Sequence, residues 1–133
     1  MGILNNIFGG KEDKESKSEK KSFLNWIPLS SLEQLKEINE ISKTESVFIF
    51  KDSTRCGICK IVIKQFEKLF KQEHQNLKVY YLDLLNHRDI SNEIATLFDV
   101  IHQSPQLLVI KNGVSIHNAS HHDIASVNLS RFI

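Results

Sequence analysis

Cys56 and Cys59 are the only two cysteines of this 133-residue chain, and they lie two residues apart in the stretch STRCGICK. Such a pair can act as a redox couple, supply two ligands of a metal site, or combine one reactive thiol with a buried neighbour. A structural role for a disulfide is unattractive here, because so short a loop constrains the unfolded chain very little. The residues around the pair must therefore indicate which of these three roles applies.

The elements around the pair place Cys56 at the start of a helix. The apolar run Val47–Phe50 is typical of a strand buried on both faces. Residues 51–55 follow as a predicted loop, and a helical pattern then continues to about Gln72. At a helix start, backbone N–H groups without partners and the helix dipole both favour a negative charge.

A thiolate at Cys56 would be that negative charge. Arg55 and Lys60 add positive charge nearby, and Lys51 is a further candidate for the same role. Because the thiolate is the reactive form in thiol–disulfide exchange, we interpret Cys56 as the nucleophile of this chain.

Cys59 opens an apolar stripe with the spacing of a helix, formed by Cys59, Val62, Ile63, Phe66, Leu69 and Phe70. The stripe predicts that the side chain of Cys59 points into the core. Two roles stay open for it. It can resolve a mixed disulfide on Cys56 by closing an intramolecular bond, or it can serve only as a small hydrophobic residue.

A metal site would need more ligands than the two cysteines provide. Structural zinc takes four, so that His102, His121 or His122 would have to complete the set. None of these histidines stands in a second ligand pair of usual spacing. We therefore predict no metal, and a non-catalytic metal-handling or binding module remains an alternative function.

Strands and helices alternate along the rest of the chain in the order β-α-β-α-β-α-β-β-α. The predicted elements are an extended piece at 26–29, helices at 32–41, 56–72 and 90–98 with Asn86 as cap of the last, strands at 47–50, 77–85, 106–110 and 114–116, and a short C-terminal helix from Ser120 that carries Ile124 and Val127. Asn112-Gly113 predicts a hairpin turn between the last two strands. This order predicts an α/β/α three-layer fold with a mixed central sheet.

Composition divides the chain into three parts. Residues 11–22 contain five lysines and four acids and no apolar residue, so we predict a charged disordered linker. Residues 1–10 form a short N-terminal segment in which Ile3, Leu4, Ile7 and Phe8 could line one turn of an amphipathic helix. We predict that residues 23–133 form a single folded domain.

Overall charge and apolar run lengths exclude several classes of protein. The net charge is +1, from 17 basic and 16 acidic residues, so no global field would attract nucleic acid. The longest apolar runs have strand length, which predicts a protein without a membrane span. The first residues lack the features of a signal peptide, and we therefore expect a cytoplasmic protein.

The cysteine motif and a later proline segment together resemble the thioredoxin superfamily. CGIC stands at a helix start, and FDVIHQSPQLLVIKNGV follows about fifty residues later. The resemblance implies a cis Ser104–Pro105 bond against the active-site sulfur, with the Ser104 backbone available to pair with an extended substrate. The chain departs from thioredoxin at Arg55, at Ile58, and at Phe50, where thioredoxins keep a buried acid.

A closer resemblance covers most of the domain. NWIPLSSLEQL, FKDSTRCGIC and NASHHDIA are similar to the YtxJ-type monothiol bacilliredoxin family, whose members have the thioredoxin fold. The resemblance implies an enzyme that removes bacillithiol from protein cysteines, with Cys56 as the attacking residue. Many relatives carry serine at the position of Cys59, so this chain departs from the monothiol form.

The same resemblance implies the partners of the site. Bacillithiol carries a malate group, whose two carboxylates Arg55 and Lys60 could receive. His121 follows the last strand beside the site and could bind ligand or move a proton. We expect no bound cofactor, bacillithiol as a thiol co-substrate, bacillithiolated client proteins as partners, no nucleic acid, and a monomer. A general dithiol reductase of protein disulfides is the main alternative.

Overall fold

The computed structural model describes residues 22–133. Its helices and strands are β1 (Trp26–Pro28), α1 (Glu33–Ile41), β2 (Val47–Asp52), α2 (Gly57–Lys68), β3 (Lys78–Asp83), α3 (Arg88–Leu97), β4 (Gln106–Lys111) and β5 (Val114–Ser120), with 3₁₀ turns at Gln72–His74, His121–Ser126 and Leu129–Phe132. The predicted N-terminal segment and all of the predicted linker but Ser22 lie outside the described residues. Within residues 22–133, none of the helices has the length and apolar character needed to cross a membrane.

The five strands form one mixed sheet in the order β1-β3-β2-β4-β5. β1, β3 and β2 run parallel, while β4 is antiparallel to β2 and β5 is antiparallel to β4. β2 lies in the centre, and its six residues are all buried. The continuous apolar run of β2 in the sequence follows from this position, because helices cover both faces of the sheet.

Alternate residues of β2 face two separate cores. Phe48 and Phe50 pack on the side of α2 and the C-terminal 3₁₀ turns, whereas Val47 and Ile49 pack on the side of α1 and α3. The predicted three-layer α/β/α arrangement is therefore confirmed. Because α2 follows β2 after a short loop, its first turn lies at the carboxyl end of the central strand.

The β4–β5 hairpin sets the position of the proline loop. Asn112 and Gly113 have φ angles of 54° and 76°, the left-handed conformation that a two-residue hairpin turn requires, so the predicted turn is confirmed. The register pairs Gln106 with Ser120 at the far end of the hairpin. Pro105 and His121 therefore lie side by side at one edge of the sheet.

Several predicted element boundaries are wrong. α2 ends at Lys68 rather than near Gln72, β3 ends at Asp83 rather than Leu85, and β5 continues to Ser120.

β2 continues through Lys51 and Asp52, because both polar side chains find partners inside the protein. The cap of α3 is His87 rather than Asn86, whose amide donates to Asp83 instead.

The predicted C-terminal helix is also wrong, since the chain forms two 3₁₀ turns there. Ser120 makes no side-chain capping hydrogen bond, His121 takes a φ of 56°, and Val127 is extended. Those conformations interrupt the i to i+4 ladder that an α-helix needs. Ile124 still packs into the core on the α2 side.

Candidate active site

Cys56 is the N-cap residue of α2, with extended backbone angles of φ −96° and ψ 119°. Its sulfur accepts a hydrogen bond from the backbone N–H of Cys59 at 3.2 Å. The side chain is half-buried rather than enclosed. The sulfur therefore occupies the position at which a helix start stabilises a negative charge, and it stays accessible to a substrate.

Cys59 lies one turn further along α2 and is fully buried, as the apolar stripe predicts. Its sulfur is 3.7 Å from the hydroxyl oxygen of Ser104. Burial and the hydrogen bond with Cys56 raise the pKa of the Cys59 thiol to about 11, against smaller lowering effects of the Ser53 backbone and the Ser104 hydroxyl. The two cysteines are thus chemically unequal, with only Cys56 open to a substrate.

The loop before β4 brings Ser104 and Pro105 to the cysteines. The Ser104–Pro105 peptide bond is cis. The Pro105 carbonyl accepts a hydrogen bond from the backbone N–H of His121 at 3.0 Å, which ties the end of β5 to the start of β4. Ser104 is half-buried and therefore lies at the rim of the site rather than beneath it.

A groove of about 530 Å³ opens on the other side of this loop, and its lining includes Gln103, Gln106, Ser120 and His121 but neither cysteine. His121 itself is exposed and has a φ of 56°, an unusual conformation for a residue with a side chain. The structure therefore places His121 beside Pro105 rather than against a sulfur.

Arg55 and Lys60 flank Cys56 in the chain and are both exposed. Neither forms an ion pair with another residue in the 22–133 range. Arg55 precedes the nucleophile, and Lys60 follows it by about one helical turn. Both cations are therefore available to an anionic group that approaches the sulfur.

Lys51 does not add its charge to this group, which corrects the interpretation of the sequence. Its side chain is fully buried on the opposite face of the sheet, where the amine lies 3.3 Å from the Ser91 carbonyl oxygen and 3.4 Å from Nδ1 of His102. Burial lowers the pKa of the Lys51 amine to about 8. Burial, and to a smaller extent the charges of Lys51 and Arg88, lower the pKa of His102.

Lys51→Met is expected to stabilise the protein. At pH 7 the amine is charged in both folded and unfolded chains, and its burial costs on the order of 3 kcal/mol. The folded amine loses its proton near pH 8 and the unfolded one near 10.5, so this cost disappears as the pH rises between these values. In urea unfolding at pH 7, the free energy of unfolding of the variant should exceed that of the wild type by about 1–3 kcal/mol, and this difference should shrink by pH 10.

The exposed Lys64→Met supplies the matched control and should change stability little at either pH. A gap for Lys51→Met of the same size at pH 7 and pH 10 would contradict the assignment of a buried, charged amine.

The histidines considered as metal ligands do not gather around the cysteines. His102 contacts Lys51, while His121 and His122 are exposed at the start of a 3₁₀ turn. Within residues 22–133 there is no cluster of three or more His, Cys, Asp or Glu side chains that could hold a metal ion.

Sequence reasoning missed two polar residues beneath α2. Asp52 is only 7% exposed and accepts a hydrogen bond from the Tyr81 hydroxyl. Alternation along the strand was the available signal, because Asp52 lies two residues after Phe50 and so shares its face. The central strand therefore ends in a buried carboxylate, two positions beyond the one that Phe50 occupies.

The family comparison agrees with this geometry. A sequence profile of the family described as monothiol bacilliredoxin BrxC matches residues 27–129, most of the described domain. The family description names one working thiol, whereas this chain has a second cysteine at position 59.

Solved structures give the same fold. One, described as an oxidoreductase with a thioredoxin fold, is 34% identical with a TM-score of 0.65, over 79% of this chain and 88% of that one. Schistosoma mansoni thioredoxin is 26% identical with a TM-score of 0.63, over 84% and 99% of the two chains. Malassezia sympodialis thioredoxin, at 23% identity and a TM-score of 0.65 over 79% and 88%, supports the fold alone. The chain therefore belongs to the monothiol bacilliredoxin family BrxC and is a thiol oxidoreductase with the thioredoxin fold.

Proposed function

We propose that this protein is a cytoplasmic enzyme that removes bacillithiol from mixed disulfides on client proteins. The proposal rests on the difference in exposure and hydrogen bonding between its two thiols. Cys56 is half-buried and sits at a helix start with a backbone N–H on its sulfur, while Cys59 is enclosed behind it. A single accessible nucleophile is sufficient to remove a small thiol that is disulfide-bonded to a client protein. The family match supports bacillithiol as that small thiol.

In the first step, the Cys56 thiolate attacks the bacillithiol sulfur of the capped client. The client–bacillithiol S–S bond breaks, the client cysteine leaves as a thiolate, and bacillithiol is now bonded to Cys56. The N–H of Cys59 and the start of α2 stabilise the attacking thiolate. The client is then reduced and free to leave.

In the second step, Cys59 attacks the sulfur of Cys56. A Cys56–Cys59 disulfide forms as Cys59 gives up its thiol proton, the bond from Cys56 to bacillithiol breaks, and bacillithiol takes up a proton and leaves as a thiol. The two residues lie within the first turn of α2, and the backbone N–H of Cys59 is hydrogen-bonded to the Cys56 sulfur. Overall, one client disulfide is reduced and the pair of thiols in the enzyme is oxidised.

Recognition uses the rim of the site. Arg55 and Lys60 receive the malate carboxylates of bacillithiol, and the Ser104 backbone beside Pro105 pairs with an extended stretch of the client. His121 lies at the same edge and contacts whatever part of the ligand enters the neighbouring groove. No bound cofactor or metal takes part, and we expect the protein to work as a monomer.

Arg55→Ala is expected to raise the KM for a bacillithiolated substrate about 10-fold, because charge-assisted hydrogen bonds to the carboxylates are lost. The effect should shrink at high salt, since the side chain is exposed and its charge is screened. Steady-state kinetics at two ionic strengths measures both.

Lys64→Ala removes an exposed charge further along the same helix and should leave KM unchanged. A substrate capped with a thiol that lacks carboxylates provides the second control. Equal losses for Arg55→Ala with both caps would contradict carboxylate recognition.

The proposed function is tested by mixing the reduced protein with a bacillithiolated model protein and following the mass of the client. Loss of about one cap per enzyme is the expected result with the reduced protein alone, and loss of the remaining cap is expected when a reductant that restores the enzyme thiols is added. A persistent cap in the presence of active, reduced enzyme would overturn the proposal.

A parallel reaction with an intramolecular protein disulfide addresses the alternative of a general dithiol reductase. The buried second cysteine and the likeness to thioredoxins favour that alternative. Faster reduction of the protein disulfide than of the capped protein, at equal concentrations, would replace the bacillithiol assignment with it.

A further inference from the structure

Two buried polar side chains hold the loop 101–104, which leads into the cis peptide bond beside the site. Lys51 on β2 and Gln106 on β4 are partners in the strand pairing, so they lie on the same face of the sheet, and they are 0% and 1% exposed. The side-chain amide of Gln106 donates to the Ile101 carbonyl at 2.9 Å and accepts from the Gln103 backbone N–H at 3.4 Å. Gln106 therefore fixes the backbone of the loop at two points.

Lys51 holds a side chain of the same loop, that of His102. Its amine lies 3.4 Å from Nδ1 of His102 and 3.3 Å from the carbonyl oxygen of Ser91 on α3, and the Ser91 hydroxyl lies 3.5 Å from the same Nδ1. Because an ammonium group only donates hydrogen bonds, Nδ1 is the acceptor and the neutral ring carries its proton on Nε2. Lys51 thereby ties the loop to the central strand and to α3.

Packing alone does not explain a lysine at position 51. Within residues 22–133, no acidic side chain forms an ion pair with Lys51. An apolar side chain of similar length would fill the same space without the penalty of burying a charge. The amine supplies a donor for His102, which lies two residues before Ser104, and the Ser104 hydroxyl is 3.7 Å from the Cys59 sulfur. The contact of Lys51 therefore reaches the site through the loop.

We propose that Lys51 is a positioning residue for client binding: its amine holds neutral His102, and His102 holds the loop so that the Ser104 backbone is in place to pair with the client. Protonation of His102 sets two positive charges 3.4 Å apart and breaks this contact, so client binding weakens as the pH falls. The inference rests on the proposed function, in which the client pairs with the Ser104 backbone.

The charges around His102 give the direction of the pH dependence. Burial, then Lys51 on β2 and Arg88 on α3, lower the pKa of His102 below its ordinary value. The other polar side chains that contact this loop, Ser91 on α3 and Gln106 on β4, carry no charge. The ring is therefore neutral at pH 7 and loses its acceptor at Nδ1 only below about pH 6. The Lys51 amine still donates after it loses its proton near pH 8, so the contact persists at higher pH.

Single-turnover removal of the cap from a bacillithiolated model protein, measured against client concentration, tests the proposal. Lys51→Met should raise the client concentration that gives the half-maximal rate about 10-fold at pH 7, with an unchanged maximal rate, although this variant is the more stable protein. His102→Leu should have the same effect. The mixed disulfide of bacillithiol with free cysteine lacks an extended stretch, so both variants should process it at the wild-type rate.

His102→Asn separates positioning from a structural defect, because its side-chain amide keeps an acceptor near the position of Nδ1 but takes up no proton. It should match the wild type at pH 7. At about pH 5 the half-maximal concentration of the wild type should be about 10-fold above that of this variant, while the titration of Cys56 is common to both proteins and cancels. His87→Asn is the matched control and should follow the wild type at both pH values, since the His87 side chain makes no capping hydrogen bond.

Wild-type half-maximal concentrations in Lys51→Met would overturn the proposal, as would the same pH dependence in wild type and His102→Asn. Equal losses with the small mixed disulfide would also overturn it, because the defect would then lie in the chemistry rather than in client pairing. If His102→Leu does not fold, Lys51→Met and His102→Asn carry the test. A wild type that leaves the cap on the client would overturn the proposed function and this inference together, whereas cap removal with unaffected variants would overturn this inference alone.

Discussion

Replacing Cys56 with serine is expected to lower the rate of cap removal by more than about 10³-fold, because no other side chain can take the place of the nucleophile. A serine hydroxyl at the start of α2 stays protonated and does not attack sulfur at neutral pH. Cys59 cannot substitute, since it is fully buried and the pKa of its thiol is raised to about 11. Mass spectrometry of the client after a fixed time measures the loss.

Two control measurements distinguish loss of the nucleophile from misfolding of the variant. The variant should unfold in urea at nearly the wild-type concentration, because Cys56 is half-buried and contributes little to the core. Cys59→Ser, by contrast, should still take the cap from the client in a single turnover. Residual catalytic turnover in Cys56→Ser would contradict the assignment of the nucleophile.

Replacing Cys59 with serine is expected to trap the cap on Cys56. Without the second thiol, the first step proceeds and the mixed disulfide on Cys56 has no intramolecular path to resolution. The adduct should therefore accumulate to about one per enzyme, whereas the wild type should pass on to a Cys56–Cys59 disulfide. Serine also keeps a small polar group near the Ser104 hydroxyl, so the fold should tolerate the change.

Intact-mass measurement after reaction with excess capped client checks this prediction. Addition of free bacillithiol should then release the trapped adduct from Cys59→Ser, because the external thiol replaces the missing one. An adduct of equal lifetime in wild type and variant would show that Cys59 only fills space in the core.

Much of this arrangement could be predicted from local sequence patterns. The stripe from Cys59 to Phe70 predicted the buried face of α2, and Cys59 is indeed fully buried. The apolar run of β2 predicted the central strand, and Asn112-Gly113 predicted the hairpin. These features depend on residue spacing over one or two turns or strands, which the sequence displays directly.

The partners of the polar residues at the end of β2 were beyond such patterns, although strand alternation indicates the face on which Asp52 lies. The sequence predicts Lys51 to be a surface residue, because it is a charged residue that follows an apolar run. Its amine can be buried because Ser91 and His102, which are distant in the chain, lie within contact distance of it. Asp52 is buried because Tyr81 on the neighbouring strand donates to it. The contacts of Lys51 depend on how α3 and the loop before β4 pack on the sheet, and the contact of Asp52 depends on the register between β2 and β3, neither of which a local pattern contains.

The central claim is that Cys56 receives the cap and Cys59 releases it. The most direct measurement is a time course of one wild-type turnover, quenched by acid and analysed by peptide mass spectrometry. The cap should leave the client, appear on the peptide that contains Cys56, and then disappear as a disulfide links Cys56 to Cys59. Loss of the cap from the client without any adduct on Cys56, or an adduct on Cys59 alone, would contradict the account.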